Sequence, residues 1–511
     1  MIARVESYTL FGLEGVPVTV EADISKGIPS FDMVGLPDAA VKESRERVKS
    51  AVKNSGLLFP NHKITVNYAP AYVKKEGSSL DLATAVAILK GSGALEADTD
   101  GVIFLGELAL SGELRPVRGV LPCIISAREK GYKTFVVPEG NAKEAGYVDG
   151  VCVYAPSTLR AVVDHLSSLT PLPPVHSQPF REEKNGTSNE IVAHDLSFVK
   201  GQEIAKRALE VAVAGGHNIL FLGPPGSGKT MLARSIPTVL PDLSFDEALE
   251  ITKIHSVAGT LGERGIVTER PFRTPHHTAT TVSLCGGGNK SVHPGEISLS
   301  HGGVLFLDEL PEYKRSSLEA LRQPLEDGVI TISRSGGTVT YPASFMLCAS
   351  MNPCPCGNYG STTRACTCSP TEIRRYRARI SGPLLDRIDI QVEVDGVAYD
   401  DLVGASDGEP SRLVKERTDR ARAIQRKRYE NDKVNTNSEM SEKDIRKYCA
   451  LSKESDDILR EAFTSLRLSA RARSRILKVA RTIADLAMEE NILPEHVAEA
   501  VSYRTYGADE E

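Results

Sequence analysis

Residues 218–230 read Asn-Ile-Leu-Phe-Leu-Gly-Pro-Pro-Gly-Ser-Gly-Lys-Thr, a short apolar run followed by Gly223, Pro224, Pro225, Gly226, Ser227, Gly228, Lys229 and Thr230. The last eight residues satisfy G-x-x-x-x-G-K-[ST] in full, and their place between a buried strand and a helix makes the pattern specific. Glycines there let backbone N–H groups curl around a β-phosphate, Lys229 reaches the β- and γ-oxygens, and the Thr230 hydroxyl can ligate Mg²⁺ at the positive end of the helix. A nucleoside triphosphate with Mg²⁺ is the ligand this chemistry implies.

Farther along, Gly303-Val-Leu-Phe-Leu-Asp308-Glu309 is a second buried strand, ending in two carboxylates. Adjacent carboxylates at the end of an apolar strand are costly unless a cation or water uses them. The reading is that Asp308 holds Mg²⁺ through water and Glu309 orients and deprotonates the attacking water. Around these two anchors the pattern predicts a helix over 201–214, a helix from Lys229, and strands over 304–307, 329–333, 338–341 and 345–349. Strands alternating with helices imply an α/β fold with a parallel sheet.

The stretch 167–190, with four prolines among polar residues, reads as a linker. Before it, residues 1–166 form an α/β domain, with strands beginning at Phe104 and Thr134 and helices over 79–90 and 121–130. After it, 191–402 form the ATPase core and 403–511 a helical domain, with helices over 412–429, 441–449, 455–465, 470–488 and 494–503. The chain has 511 residues, enough for three to four domains of about 100–200 residues each. With 41% hydrophobic and 25% charged residues it is an ordinary globular composition, not a collagen-like, mucin-like or disordered one. No run approaches a membrane span, and Arg4 and Glu6 precede any apolar stretch, so a cytoplasmic location without a signal peptide is expected.

With these residues in place the core resembles an AAA+ ATPase of the branch that contains magnesium chelatase and the MCM helicases. The resemblance assigns the Asn352 amide, at the end of Phe345–Met351, to sensor 1. It assigns Arg387, within Gly382-Pro-Leu-Leu-Asp-Arg-Ile-Asp389, to the arginine finger that neutralises a neighbouring subunit's γ-phosphoryl group. A salt bridge from Arg387 to Asp386 or Asp389 on a surface turn is the alternative. Arg471, in Leu468-Ser-Ala-Arg471, is assigned to sensor 2, with Arg473 and Arg475 as rivals, while Val199 and Gln202 flank the adenine. Arg270-Pro-Phe-Arg-Thr-Pro-His-His277, Gly286-Gly-Gly and Pro294-Gly-Glu-Ile, in that order, are similar to the YifB/ComM family of magnesium-chelatase-like ATPases over nearly the whole chain.

The N-terminal domain resembles the Lon protease catalytic fold of the ribosomal protein S5 domain 2-like group. Ser79, in Lys75-Glu-Gly-Ser-Ser79, stands at the nucleophile position, but Leu121 stands where the activating lysine belongs. Without a base the hydroxyl stays protonated, so proteolysis is disfavoured and a helix-capping role for Ser78 or Ser79 is expected. The family resemblance implies an ATP-driven, ring-forming DNA motor, a homo-oligomer in a hexameric ring. Its expected work is helicase or branch migration on single-stranded or branched DNA in homologous recombination during natural transformation. A metal-insertion motor like magnesium chelatase is the competing reading, disfavoured by the Lon-like domain.

Four of the nine cysteines, Cys354, Cys356, Cys366 and Cys368, fall within fifteen residues as C-x-C…C-x-C. They suit a structural Zn²⁺ tying off a Gly-rich loop, with reduced thiols or a redox pair as alternatives. Basic clusters at 374–379 and 412–428, the latter with eight Lys or Arg against two acids, read equally as phosphate contacts or as solvated helix faces and subunit contacts. By family analogy, DNA runs through the pore past the insert 270–288 and the hairpin around 330–340, with Arg334 as the phosphate contact.

Overall fold

A computed structural model of the chain describes residues 2–36, 38–75, 77–176, 180, 194–262, 264–288, 292–334, 337–361, 364–396, 408–432, 434–466 and 468–504. The expected linker and the boundary near 403 fall largely outside the described residues. The chain opens on a long antiparallel hairpin, β1 (Ile2–Phe11) and β2 (Glu14–Ser25), followed by β3 (Ser30–Val34), α1 (Ala39–Asn54), β4 (Lys63–Ala69), α2 (Asp81–Gly91) and β5 (Val102–Phe104). Then come α3 (Val120–Glu129), β6 (Thr134–Val136), β7 (Cys152–Tyr154) and α4 (Leu159–Leu166). The strands form one mixed seven-stranded sheet in the order β3-β4-β2-β1-β5-β6-β7.

Two sequence expectations are corrected here. The run from Phe104 does not continue as one strand: it breaks at Gly106, whose φ of 157° turns the chain before a separate two-residue strand at Glu107–Leu108. Neither Ser78 nor Ser79 caps α2, whose N-cap is Leu80 without a side-chain bond; the Ser78 hydroxyl donates instead to the Glu107 carboxylate. Leu121 is buried in α3, so the site of the missing lysine is part of the apolar core.

The second unit begins with α5 (Glu203–Gly215), β8 (Ile219–Leu222), α6 (Lys229–Val239), α7 (Phe245–Ala258), β9 (Phe272–Arg273) and β10 (Val304–Leu307). It continues through the hairpin β11 (Val329–Arg334) and β12 (Gly337–Pro342), then β13 (Met346–Met351), α8 (Pro370–Arg377) and β14 (Ile390–Glu393). Strands β8, β10 and β13 are buried at every position, as a sheet covered on both faces requires. Their sheet is parallel throughout, in the order β9-β10-β13-β8-β14. The helical domain follows: α9 (Ser411–Arg428), α10 (Glu442–Tyr448), α11 (Lys453–Ser465), α12 (Ala470–Leu486) and α13 (Pro494–Ser502).

Apolar burial joins the units. Ile476, Leu477, Val479 and Ala480 of α12 share one cluster with Ile219, Phe221 and Ile390 of the sheet, and each such side chain contributes about 1.5–3 kcal/mol. The N-terminal domain docks through Ser256 of α7, whose hydroxyl donates to the buried Glu144 at 2.6 Å while its carbonyl accepts from Gly119 at 3.2 Å. Its β1–β2 turn meets the β11–β12 hairpin, where a Cβ on Gly12 would lie 2.8 Å from Val339. No helix among the described residues is long and apolar enough to cross a membrane.

Asp389, just ahead of β14, ties the sheet to the helical domain. It lies 3.2 Å from Arg475 of α12 and 3.5 Å from His217, and accepts from the Asn218 backbone at 3.3 Å. Burial alone would raise its pKa, but the His217 bond and the charges of Arg475 and Lys478 outweigh burial and hold it below the usual carboxylate range. A depressed acid contributes stability that is present above its unfolded pKa of about 3.9 and is lost as pH falls through the lower folded value. Asp389→Asn should therefore lose about 3 kcal/mol at neutral pH by leaving Arg475 uncompensated. In urea titrations the wild type's advantage over this variant should shrink as pH drops from about 5 to about 3; an advantage that does not change with pH would contradict the ion pair's role.

Candidate nucleotide and metal sites

Strand register builds the first site. Leu222 pairs with Met351 and Leu307 with Ala349, so β8, β10 and β13 end at one edge of the sheet. The residues that follow are Gly223, Asp308 and Asn352. Lys229 opens α6 and is buried, its ammonium donating to the carbonyls of Gly223 at 2.8 Å and Pro224 at 2.7 Å and to Asn352 Oδ1 at 3.3 Å. Burial pulls that ammonium down to about 8, against the opposing pull of Asp308 and Glu309. Thr230 Oγ1 donates to Asp308 Oδ2 at 3.1 Å, and Ser350 donates to the other oxygen. The sequence-predicted P-loop, acidic pair and amide thus converge.

Backbone conformation marks the same place. Gly226 and Gly228 have φ of 80° and 94°, left-handed values that glycine adopts without a Cβ penalty. A side chain on Gly223 would run into the Val394 carbonyl. Two of the non-glycine residues at positive φ also lie here, Gln202 at 61° and Glu309 at 53°. Such conformations cost about 1–3 kcal/mol and persist where the surroundings impose them. The Glu309 side chain is 57% exposed, while its N–H donates to Ser350 at 3.3 Å. Gln202 reaches over the loop to the Asp395 carbonyl at 2.5 Å, and Val199 is buried beside it.

These donors fit a nucleotide with Mg²⁺. The Ser227 hydroxyl is buried with no partner among the described residues, and the Lys229 ammonium meets no carboxylate, so both can serve an anion. Thr230 and Asp308 are placed to hold Mg²⁺, which when bound neutralises charge on the β- and γ-oxygens.

Arg387 and Arg471 are brought together, but away from the P-loop. The Arg387 guanidinium is 7% exposed; it donates to the Pro383 carbonyl at 2.7 Å and pairs with Glu326, and its Nε finds no partner among the described residues. Its partner is therefore neither Asp386 nor Asp389. Glu326 is held below the usual carboxylate range by its bond to Arg387, then by Arg387's charge and by that of Arg471, which is exposed at the start of α12. Arg387 lines a cleft of about 1040 Å³ between sheet and helical domain, with Glu326, Asp389, Arg475 and Lys478, and none of residues 223–230 lines it.

The four cysteines also converge, all four Sγ atoms lying within 4.8 Å of one another. They are free thiols. The Sγ separations of 3.4 Å (Cys354–Cys356), 3.6 Å (Cys356–Cys366) and 3.7 Å (Cys354–Cys366) compare with about 3.8 Å for the edge of a tetrahedron with Zn–S of about 2.3 Å. Backbone N–H groups of Tyr359 and Cys368 donate to Cys354 and Cys366 at 3.3 and 3.4 Å, as suits thiolates. The loop can hold one tetrahedral metal ion.

The expected nucleic-acid contacts fare differently. Arg270 is engaged inside the fold by Glu247 at 2.8 Å and by the carbonyls of Pro241 and Gly302, and Arg273 by Glu296 at 2.6 Å. The arginines of the insert therefore do not face a ligand. Along α9, Arg417 pairs with Glu409 and Glu210, Arg428 with Asp485, and Lys415 with Asp242, so these members of the basic stripe are taken up by packing within the helical domain and against the ATPase core. The β11–β12 hairpin does present exposed hydroxyls, Thr331 beside Thr340 and Ser333 beside Thr338. The side chain of Arg334, at its tip, lies outside the described residues. One neighbour the sequence did not announce is His277, whose Nδ1 lies 3.7 Å from the Glu309 carboxylate and whose ring lies tilted by 35° against that of His276, centroids 4.0 Å apart.

Comparison with known proteins matches three family descriptions: magnesium chelatase, subunit ChlI, over residues 195–402; subunit ChlI of Mg-chelatase over 20–141; and the C-terminal region of subunit ChlI over 408–504. The chain is 44% identical to the YifB protein of Escherichia coli (strain K12) over 508 residues, covering 98% of this chain and 97% of that one. It is 43% identical to the competence protein ComM of Haemophilus influenzae over 505 residues, again 98% and 97%. A shorter stretch of 169 residues, 32% of the chain, is 28% identical to Lon protease 2 of Bacillus subtilis and covers 30% of it.

From the geometry, Lys229→Ala should abolish nucleotide binding, because Lys229 is the buried cation of the cradle. Glu309→Gln should leave binding intact and lower turnover by about 10² or more. Titration with a fluorescent ATP analogue alongside phosphate release checks both, and equal loss of affinity in the two variants would contradict the assignment.

Proposed function

The chain belongs to the YifB/ComM family of magnesium-chelatase-like AAA+ ATPases, and from that membership we propose that it is an ATP-driven, ring-forming DNA motor acting in helicase or branch-migration work on single-stranded or branched DNA. The observation that carries the reading is the end-to-end similarity to a competence protein together with a complete phosphate and water-activating cradle. That relative is named a competence protein, and the setting we propose for this chain is homologous recombination during natural transformation.

In this reading Lys229 neutralises the β- and γ-phosphates, Thr230 and Asp308 hold Mg²⁺, Glu309 takes a proton from the attacking water, and Asn352 orients that water. Arg387 and Arg471 sit on a flank apart from their own P-loop and serve the nucleotide of the next subunit, which makes the active unit a ring, a hexamer by family analogy. Val199 and Gln202 border the base. The hydroxyl-bearing hairpin, with Arg334 at its tip, contacts phosphates in the pore. Cys354, Cys356, Cys366 and Cys368 hold structural zinc.

A metal-insertion motor is the second reading, and the family matches favour it specifically. A description named for the chelatase subunit covers residues 20–141, so the Lon-like domain does not argue against that activity. Proteolysis is not proposed, because Leu121, at the position of the activating lysine, lies in the apolar core and leaves Ser79 without that base.

DNA separates the readings. Branched or single-stranded DNA should raise kcat for ATP by about tenfold, with an effect that falls steeply as salt rises, because phosphate contacts release counterions. A turnover unchanged by DNA at low salt would remove the DNA-motor reading.

A further inference from the structure

The loop that leaves β13 returns to its own starting point. Asn352 and Pro353 end the strand, the four cysteines follow, and Ser369, next to Cys368, caps α8 by accepting from the Glu372 N–H at 3.3 Å. Helix α8 then runs back beside the loop's beginning. Arg377 Nε donates to the Pro353 carbonyl at 3.2 Å, and its guanidinium lies 5.2 Å from the centroid of the Tyr359 ring. Tyr376, next to Arg377 in the same helix, is buried. On its other side the loop touches the P-loop: Gly357, at φ 80°, packs so closely on Pro225 that a Cβ there would lie 2.5 Å from the proline Cδ.

Little in the loop's own sequence can hold this arrangement. Of its four cysteines only Cys354 is buried, and the backbone hydrogen bonds among its described residues are short-range, Gly357 to Cys354 at 3.0 Å and Ser361 to Asn358 at 3.1 Å. A metal ion joining sulfur atoms from both ends of the loop supplies the missing constraint. We propose that the metal-bound Cys354–Cys368 knot is a positioning centre for ATP hydrolysis, fixing Asn352 against Lys229 so that turnover, far more than ATP affinity, depends on the metal. The inference rests on the zinc reading above. Its physical basis is that Asn352 is two residues from the first ligand and contacts Lys229 through a side chain at 3.3 Å, whereas ground-state phosphates are gripped by the backbone of the P-loop itself. Displacing a water-orienting amide by about 1 Å costs turnover on the order of 10²-fold.

The test compares zinc content, kcat and KM for ATP, and binding of a fluorescent ATP analogue. Purified full-length chain should carry about one zinc per chain. Removing it with a zinc-selective chelator, with Mg²⁺ kept in excess, should lower kcat about tenfold or more while the analogue's Kd moves by less than about threefold. Adding Zn²⁺ back should restore turnover. Cys366→Ser should behave like the stripped protein, and Cys366→His, which keeps a zinc ligand, should retain both metal and turnover. Arg377→Ala cuts the tie to Pro353 without touching a thiol and should keep its zinc yet lose kcat, which decides the matter if the stripped protein unfolds.

Zinc-bearing protein whose kcat survives stripping, or an Arg377→Ala variant with full kcat, overturns the positioning role and leaves the zinc site standing. Loss of analogue binding in parallel with kcat overturns it too, because the knot is then only a scaffold. Protein that never contains zinc removes the zinc reading on which the inference rests.

Discussion

The register of three neighbouring parallel strands is the constraint on which the rest depends. Because β13 lies between β8 and β10, and all three end at one edge, the amide after β13 falls between the lysine that follows β8 and the carboxylates that follow β10. A slip of one residue in any of these buried strands would turn its whole set of side chains to the opposite face. Apolar burial on both faces of the sheet therefore fixes the chemistry at its edge. The strained backbone at Glu309 and Gln202 is tolerated because this frame is rigid.

The same frame explains why the two flanks of the core differ. Asp389 and Arg475 clamp α12 onto the sheet on the side where Arg387 meets Glu326. Arg471 joins that cluster from the start of α12. One flank of each chain thus carries a cradle that receives phosphate, and another carries arginines that do not reach into that cradle. In the proposed ring, each chain completes its neighbour. Glu326 neutralises the buried Arg387 guanidinium, as a buried charge requires.

Much of this was legible in the sequence where the signal is local. The P-loop, the acidic strand end, the amide strand and the helical C-terminal region stand where pattern and spacing put them, because buried parallel strands read as continuous apolar runs. The N-terminal hairpin over residues 2–25 was not read, since its inward positions include Ser7 and Thr9, polar residues that mask a period of two; Ser7 is accommodated by donating to the Phe104 carbonyl at 2.7 Å. Arg270, Arg273 and Arg417 looked available for phosphates because their partners are remote in sequence: Glu210 lies 207 residues from Arg417. The same remoteness hid the approach of His277 to Glu309 and of Gly357 to Pro225.

The central claim, that hydrolysis is completed across a subunit boundary, is tested most directly by mixing two inactive proteins. Arg387→Ala alone should keep ATP binding and lose hydrolysis by a factor of about 10³ or more, and Lys229→Ala alone should be inactive for want of nucleotide. In mixed rings, some interfaces join an intact Lys229 cradle to an intact Arg387, and these should recover turnover that neither parent shows, once subunit exchange has been verified by labelled subunits. Recovered turnover that rises and falls with the mixing ratio is the predicted result. Full hydrolysis by an isolated monomer would contradict the account.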